Sequence, residues 1–356
     1  MNFKDFYYFR SAVFKKIPNG CDLSFINPRF EFSEKILNSF LDAVKARNRA
    51  GALSYGPAKG DFHTRLLCIN FWNHITGSNY SEESAIVTQG TKDALNFFLR
   101  VFTVPGQKIF LERPTYPVYE FLAKANGLII EKSIKDAELI VLSAPNNPSG
   151  QVNTELLNEL KRYAAQKMIF FDGVYIPLIR ESVVFLKELR TLNSILFESF
   201  SISKAFGGGG IRCGVLFYPT IFKSVIETAR TRIGYNPSVL SEAFLGVLLT
   251  EGFDIPQELI YLNRHKLNLI RGFSLGQYCL SIEGLPFCWL KHPRVNKDLW
   301  EKLAFSGFLT TWGGFYGKEY SDCLRLSLTV SEVNLARFCQ LLSQELNFQA
   351  ERVANV

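Results

Sequence analysis

Short apolar runs recur through the first two-thirds of the chain, and several are followed by stretches whose apolar residues return every three or four positions. The runs are AIVTQG (85–90), KIFLER (108–113), LIIEKS (128–133), LIVLSAP (139–145), MIFFD (168–172), ILFESFS (195–201) and GVLFYP (214–219), and each predicts a strand. TKDALNFFLRVF (91–102), YPVYEFLAKANG (116–127) and TELLNELKRYAAQ (154–166) lie between them and carry the spacing of amphipathic helices. Strand and helix in alternation predict an α/β fold with a mostly parallel sheet covered on both faces. From about residue 221 the pattern turns to long helices, and beyond about residue 256 to a smaller mixed unit of helix and strand.

Composition narrows this picture without changing it. At 356 residues the chain is too long for one small core, so a large domain with a smaller one is expected. Hydrophobic residues make up 47% and charged residues 21%, the balance of a soluble globular protein. No apolar run reaches the roughly 18 residues that cross a bilayer, so no membrane partner is expected. The N-terminus, MNFKDFYYFRSAVFKK, scatters charges among apolar residues and lacks the order of a signal peptide. The seven cysteines are odd in number and contain no C-x-x-C, which argues against a disulfide framework and a zinc site and fits a reducing cytoplasm. The net charge of +7 is dispersed, its densest cluster (VKARNRAG, 44–51) is short, and nucleic acid is not an expected partner. His63, His74, His265 and His292 have no metal-ligand spacing, so no metal is expected.

Candidate chemistry falls at the ends of predicted strands, where such sheets bind ligands. Four polar clusters sit there: TQGTK (88–92), APNNPSG (144–150), FDGVY (171–175) and SFSISK (199–204). Lys204 is either a loop lysine on the surface or an amine in a partly desolvated pocket, where it can lose its proton and form a Schiff base with a carbonyl. Its surroundings favour the second. Ser201 and Ser203 offer hydroxyls, Gly207 to Gly210 allow close backbone approach, and Arg212 follows eight residues on with a fork of donors suited to phosphate. Gly90 and Thr91 open a helix whose free N–H groups form a second anion cradle, while Asp93 in the same turn also stabilises the helix N-terminus. Asp172 reads either as a turn or cap aspartate or as a carboxylate that keeps a ring nitrogen protonated. Asn147 and Tyr175 can donate to a ring oxygen. Tyr116, in PTY (114–116), offers a face to a flat ring, or simply follows a proline-initiated turn.

Taken together, these segments resemble the fold type I pyridoxal-phosphate enzymes of the class I/II aminotransferase family, which includes aspartate and histidinol-phosphate aminotransferases. SISKAFGGGGIRCG (201–214) is similar to the family's S-x-S-K-x-x-G-x-x-G-x-R-x-G motif at every fixed position. NNPSG (146–150) resembles N-P-[ST]-G, DGVY (172–175) resembles D-x-x-Y, and PTYPVY (114–119) the stacking-aromatic segment. YGPAKG (55–60) resembles Y-x-P-x-x-G, and LRLSL (324–328) the C-terminal R-[LIVF]-S element. The order is the family's, and the resemblance covers about residues 24 to 340.

The resemblance implies a fold type I architecture: residues 46–255 as the large domain that binds pyridoxal 5′-phosphate, 256–356 as a small C-terminal α+β domain, and 1–45 as a segment contributing to the small domain. It implies that Lys204 carries the cofactor as a Schiff base and moves the substrate proton. Asp172 would pair with the pyridine nitrogen, Asn147 and Tyr175 would contact the ring oxygen, and Tyr116 would stack on the ring. Gly90, Thr91, Lys92 (chiefly through its backbone N–H), Ser201, Ser203 and Arg212 would surround the phosphate. Arg325, together with Asn147, would meet the substrate, Arg325 clamping its α-carboxylate. Tyr55 would reach the phosphate in a neighbouring subunit, which implies a homodimer with shared sites. The implied activity is amino-group transfer from an α-amino acid to a 2-oxo acid. Two alternatives stand beside it: a lyase or cyclase acting on a substituted amino acid such as a hydroxylated arginine, and a cofactor-binding regulator without turnover. Three departures bear on the substrate. GFLTTWGGFYG (307–317) lacks the arginine that holds the substrate phosphate in histidinol-phosphate aminotransferases, which disfavours phosphorylated histidinol or threonine. Four consecutive glycines at 207–210 imply extra flexibility or room beside the lysine. LSFINPRF (23–30) matches the family's glycine-containing opening segment only loosely.

Overall fold

A computed structural model describes residues 3–354 apart from 166, 193, 194, 234 and 235. All seven apolar runs are strands of one sheet. Their spatial order is Ala85–Thr88, Gly214–Phe217, Leu196–Ser201, Met168–Asp172, Leu139–Ser143, Lys108–Leu111 and Ile129–Glu131. The last five run parallel, whereas Gly214–Phe217 is antiparallel to both its neighbours. The reason lies in its connection. Residues 202–213 fold into one helical turn (Ile202–Ala205) and a 3-10 turn (Gly209–Ile211) at the strand end, so the chain returns directly instead of crossing a face of the sheet.

The run MIFFD explains why both faces are covered. Ile169, Phe170 and Phe171 are all fully buried, and with a side-chain period of two they divide between two cores. Ile169 and Phe171 join Ile140, Leu142, Phe200 and Val215 on one face. Phe170 joins Val141, Phe197 and Leu216 on the other, under Leu95, Phe98 and Leu99 of the helix Thr91–Phe102. Beneath the Leu196–Ser201 strand, the fully buried Glu198 is held by Arg190 (Nη2 to Oε2, 2.7 Å) and accepts a hydrogen bond from Trp72 Nε1 at 2.6 Å. A buried carboxylate persists only with such partners.

The rest of the chain forms a three-stranded antiparallel sheet in the order Thr311–Trp312, Cys323–Ser327, Phe287–Lys291. Cys21–Asp22 pairs in parallel with Phe308–Leu309. Phe6, Val13 and Leu23 share a core with Trp300, Leu326 and Phe338, so the first residues of the chain pack against the last third. That packing carries residues 24–27 across the carboxyl ends of the large sheet's strands. Among the described residues, no helix is long and apolar enough to cross a membrane.

Candidate active site

The carboxyl ends of the parallel strands open into a cleft of about 410 Å³. Twelve of the thirteen residues singled out from the sequence line it: Gly90, Thr91, Lys92, Tyr116, Asn147, Asp172, Tyr175, Ser201, Ser203, Lys204, Arg212 and Arg325. The thirteenth, Tyr55, does not; it is 98% exposed on the outside of the molecule.

Lys204 lies in the single helical turn after the Leu196–Ser201 strand, and its amine donates to the carbonyl of Ile26. Burial, followed by the positive charges of Arg325 and Arg212, pushes its pKa down to about 8, against the opposing pull of Asp172. A fraction of the amine is therefore neutral, and nucleophilic, near neutral pH.

Asp172 ends the central strand and is 5% exposed. Its Oδ2 accepts from the Tyr119 hydroxyl at 2.7 Å and its Oδ1 from the Val174 N–H at 3.1 Å. Burial raises its pKa, and these hydrogen bonds, with Thr91 and the charge of Lys204, oppose the rise. No ion pair to Asp172 forms among the described residues, so a buried acceptor faces the cleft with room for a cationic partner.

One end of the cleft is a cradle for an anion. Gly90 has φ 99°, and a Cβ there would lie 3.3 Å from Arg212 Nη2 and 3.5 Å from Ser201 Oγ, so only glycine leaves this space open. Gly90 caps the helix Thr91–Phe102 without a side-chain hydrogen bond, leaving the first N–H groups of the helix unclaimed by a cap. Ser201 and Ser203 hydroxyls are 2.8 Å apart. Arg212 adopts φ 59°, uncommon for a residue with a side chain, and its guanidinium donates to the carbonyls of Gly209 (2.8 Å) and Gln89 (2.7 Å). Asp93 lies outside the cradle and accepts from the Gln89 N–H at 3.0 Å.

The opposite wall carries Arg325, 7% exposed, in the strand Cys323–Ser327. Its Nη1 donates to Asn147 Oδ1 at 2.8 Å and its Nη2 to the Ser24 carbonyl at 2.5 Å and Thr311 Oγ1 at 3.3 Å. Its Nε is buried without a partner among the described residues. Such a guanidinium suits a carboxylate.

The glycine run does not simply open room beside the lysine. Gly207 has φ 66°, and a Cβ there would meet the Phe30 Cβ at 2.5 Å, so Phe30 already fills that space. Sequence reasoning missed Tyr119, although it stands one helical turn after Tyr116, with the two rings 5.5 Å apart. It also missed the contribution of Phe6 and Tyr7 to the lining, because nothing local reveals that these residues fold back over the cleft, whereas Phe25 and Ile26 lie in the segment 23–30 whose loose match to the family's opening segment already bore on the substrate.

A family model described as aminotransferase class I and II matches residues 20–342. The chain belongs to the class I and II aminotransferase family. A histidinol-phosphate aminotransferase of Ruminiclostridium cellulolyticum is 24% identical to this family member over 284 residues, covering 71% of this chain and 75% of that one. A second, of Pyrococcus furiosus, is 28% identical over 200 residues, covering 51% of this chain and 56% of that one. Among solved structures, an aromatic aminotransferase from Pyrococcus horikoshii OT3 superposes with a TM-score of 0.81 at 14% identity, covering 96% of this chain and 99% of that one. An Escherichia coli protein with a methionine aminotransferase function superposes with a TM-score of 0.81 at 16% identity, covering 94% of this chain and 95% of that one. These likenesses establish the fold type I architecture. The family is pyridoxal 5′-phosphate-dependent, and the residues of the cleft fit that group: an amine, a buried carboxylate open to a cation, and a glycine-lined cradle of donors for a phosphate.

Proposed function

We propose that this aminotransferase-family enzyme moves an amino group from an α-amino acid to a 2-oxo acid, with Lys204 as the catalytic residue. The observation that carries this reading is the convergence of Lys204, Asp172 and Arg325 on one cleft. When bound, pyridoxal 5′-phosphate supplies an aldehyde to hold the amine and a ring that takes up the electrons released at Cα. Gly90, Thr91, the Lys92 backbone, Ser201, Ser203 and Arg212 would hold its phosphate. Asp172 would keep its ring nitrogen protonated, Asn147 and Tyr175 would hold its ring oxygen, and Tyr116 would pack on its ring. Arg325 fixes the substrate's α-carboxylate, which orients the Cα–H bond toward Lys204. Lys204 Nζ would take the Cα proton and hold it as the ammonium for the reprotonation that completes the transfer, a role favoured by the depressed pKa of its amine.

Single turnover of the holoenzyme with an amino acid tests the reading. One equivalent of 2-oxo acid, with the amino group retained on the cofactor until a 2-oxo acid is added, is the expected result. A dehydrated or cyclised product with no dependence on a 2-oxo acid would overturn it in favour of a lyase. The absence of any reaction in holoenzyme that binds amino acids would favour a regulator.

A further inference from the structure

We infer that this site, if it transfers amino groups as proposed above, takes α-amino acids with apolar or aromatic side chains and discriminates against anionic ones. The inference deepens the aminotransferase reading and rests on it. Four cationic residues line the cleft: Lys92, Lys204, Arg212 and Arg325. Lys92 and Arg212 flank the glycine cradle, Lys204 is the nucleophile, and Arg325 is committed to one carboxylate. Within this chain, a second anion on the substrate side chain finds no further cation in the lining among the described residues beyond the Lys92 ammonium, which sits at the cradle end, opposite the wall that carries Arg325.

Arg10 does not supply it. Its guanidinium pairs with Asp22 (Nε to Oδ2, 2.9 Å; Nη2 to Oδ2, 2.8 Å) and lies 4.8 Å from the centroid of the Phe25 ring, which it supports. Residues 307–317, which run into the cleft wall at Thr311 and Tyr316, contain no basic residue. What the cleft offers instead is an aromatic wall. Phe6, Tyr7, Phe25 and Tyr316 line it, with Phe6 and Tyr7 rings 5.8 Å apart and Tyr7 and Phe25 rings 6.2 Å apart. Phe6 and Tyr316 are buried, whereas Tyr7 is 52% and Phe25 39% exposed, so two rings at the cleft retain apolar surface for a substrate to cover. An anionic side chain against these rings loses its hydration without gaining a partner, while an apolar one removes surface from water on both sides.

The test is a single-turnover panel on the holoenzyme with L-phenylalanine, L-leucine, L-alanine, L-glutamate, L-aspartate and O-phospho-L-serine, following 2-oxo acid formed. kcat/KM for phenylalanine is expected to exceed that for each anionic substrate by at least about tenfold. In Phe25→Ala and Tyr7→Ala enzymes, the ratio of phenylalanine to alanine kcat/KM is expected to fall severalfold; using the ratio cancels any loss common to both substrates. Equal or faster reaction of glutamate, aspartate or phosphoserine overturns the inference and leaves the aminotransferase reading standing. An unchanged ratio in both variants overturns the assignment of the aromatic wall. No 2-oxo acid from any substrate overturns the aminotransferase reading and the inference with it.

Discussion

The Tyr119 hydroxyl is the strongest single contact on the Asp172 carboxylate, and it carries a prediction. A hydrogen bond to a charged acceptor contributes about 1.5–3 kcal/mol, and its loss from a buried carboxylate favours the neutral acid. Tyr119→Phe should lower kcat by roughly tenfold and move the acid limb of the kcat profile to higher pH. An unchanged limb would remove Tyr119 from any positioning role. Lys204 yields a second prediction, with a definite sign. Burial and two neighbouring guanidiniums disfavour its charged form, so the neutral amine grows in as pH rises toward about 8. The rate at which apo-protein attaches added pyridoxal 5′-phosphate, followed by absorbance, should climb with pH, pass half its plateau near 8 and level off above that. A rise that continues toward the ordinary lysine range would mean that the pocket does not perturb the amine. The lysine, both serines and the arginine were legible in sequence because they share one short motif. Tyr119 was harder to read, since its meaning depends on a carboxylate 53 residues away.

At the scale of the element, the loop 202–213 turns the chain back antiparallel while holding Lys204 and Arg212 at one strand end. Its four glycines are not equivalent. Gly207 combines φ 66° with Phe30 at 2.5 Å, whereas a Cβ on Gly210 meets nothing within 4 Å. Gly207→Ala should therefore destabilise the protein by about 1–3 kcal/mol in denaturant unfolding, and Gly210→Ala should stay within about 0.5 kcal/mol of the parent. Equal costs at both positions would mean that the packing of Phe30 on the loop is not a constraint. The sequence suggested freedom around the lysine because a glycine run has no side chains of its own. It could not tell which distant side chain would move in.

At the scale of the whole molecule, the exposed Tyr55 points to an assembly. A tyrosine that is 98% exposed has no packing role within its own chain, and Leu53, Phe62 and Leu240 are also exposed. We propose a homodimer in which Tyr55 completes the partner's cradle. Sedimentation at micromolar concentration should give twice the 40.5 kDa of one chain. Mixing Tyr55→Phe and Lys204→Ala protomers, each impaired alone, should restore activity in the heterodimers, because with shared sites every heterodimer holds one intact site and one doubly altered site. A stable, fully active monomer would contradict this.

The alternation of apolar runs and amphipathic stretches determined the class of fold, because strands buried on both faces and helices with one apolar side leave few other ways to cover a sheet. The motif spacing likewise determined the cradle, since strand ends in such a sheet converge wherever the chain places them. Only the tertiary structure decided the other wall. Arg325 meets Asn147 across 178 positions and the Ser24 carbonyl across 301, and three rings of the aromatic wall, Phe6, Tyr7 and Phe25, come from the first 25 residues, where charges scattered among apolar residues mark no site. Contacts that far apart in sequence follow from how the N-terminal segment packs with Trp300 and Phe338, and local periodicity carries no record of that packing.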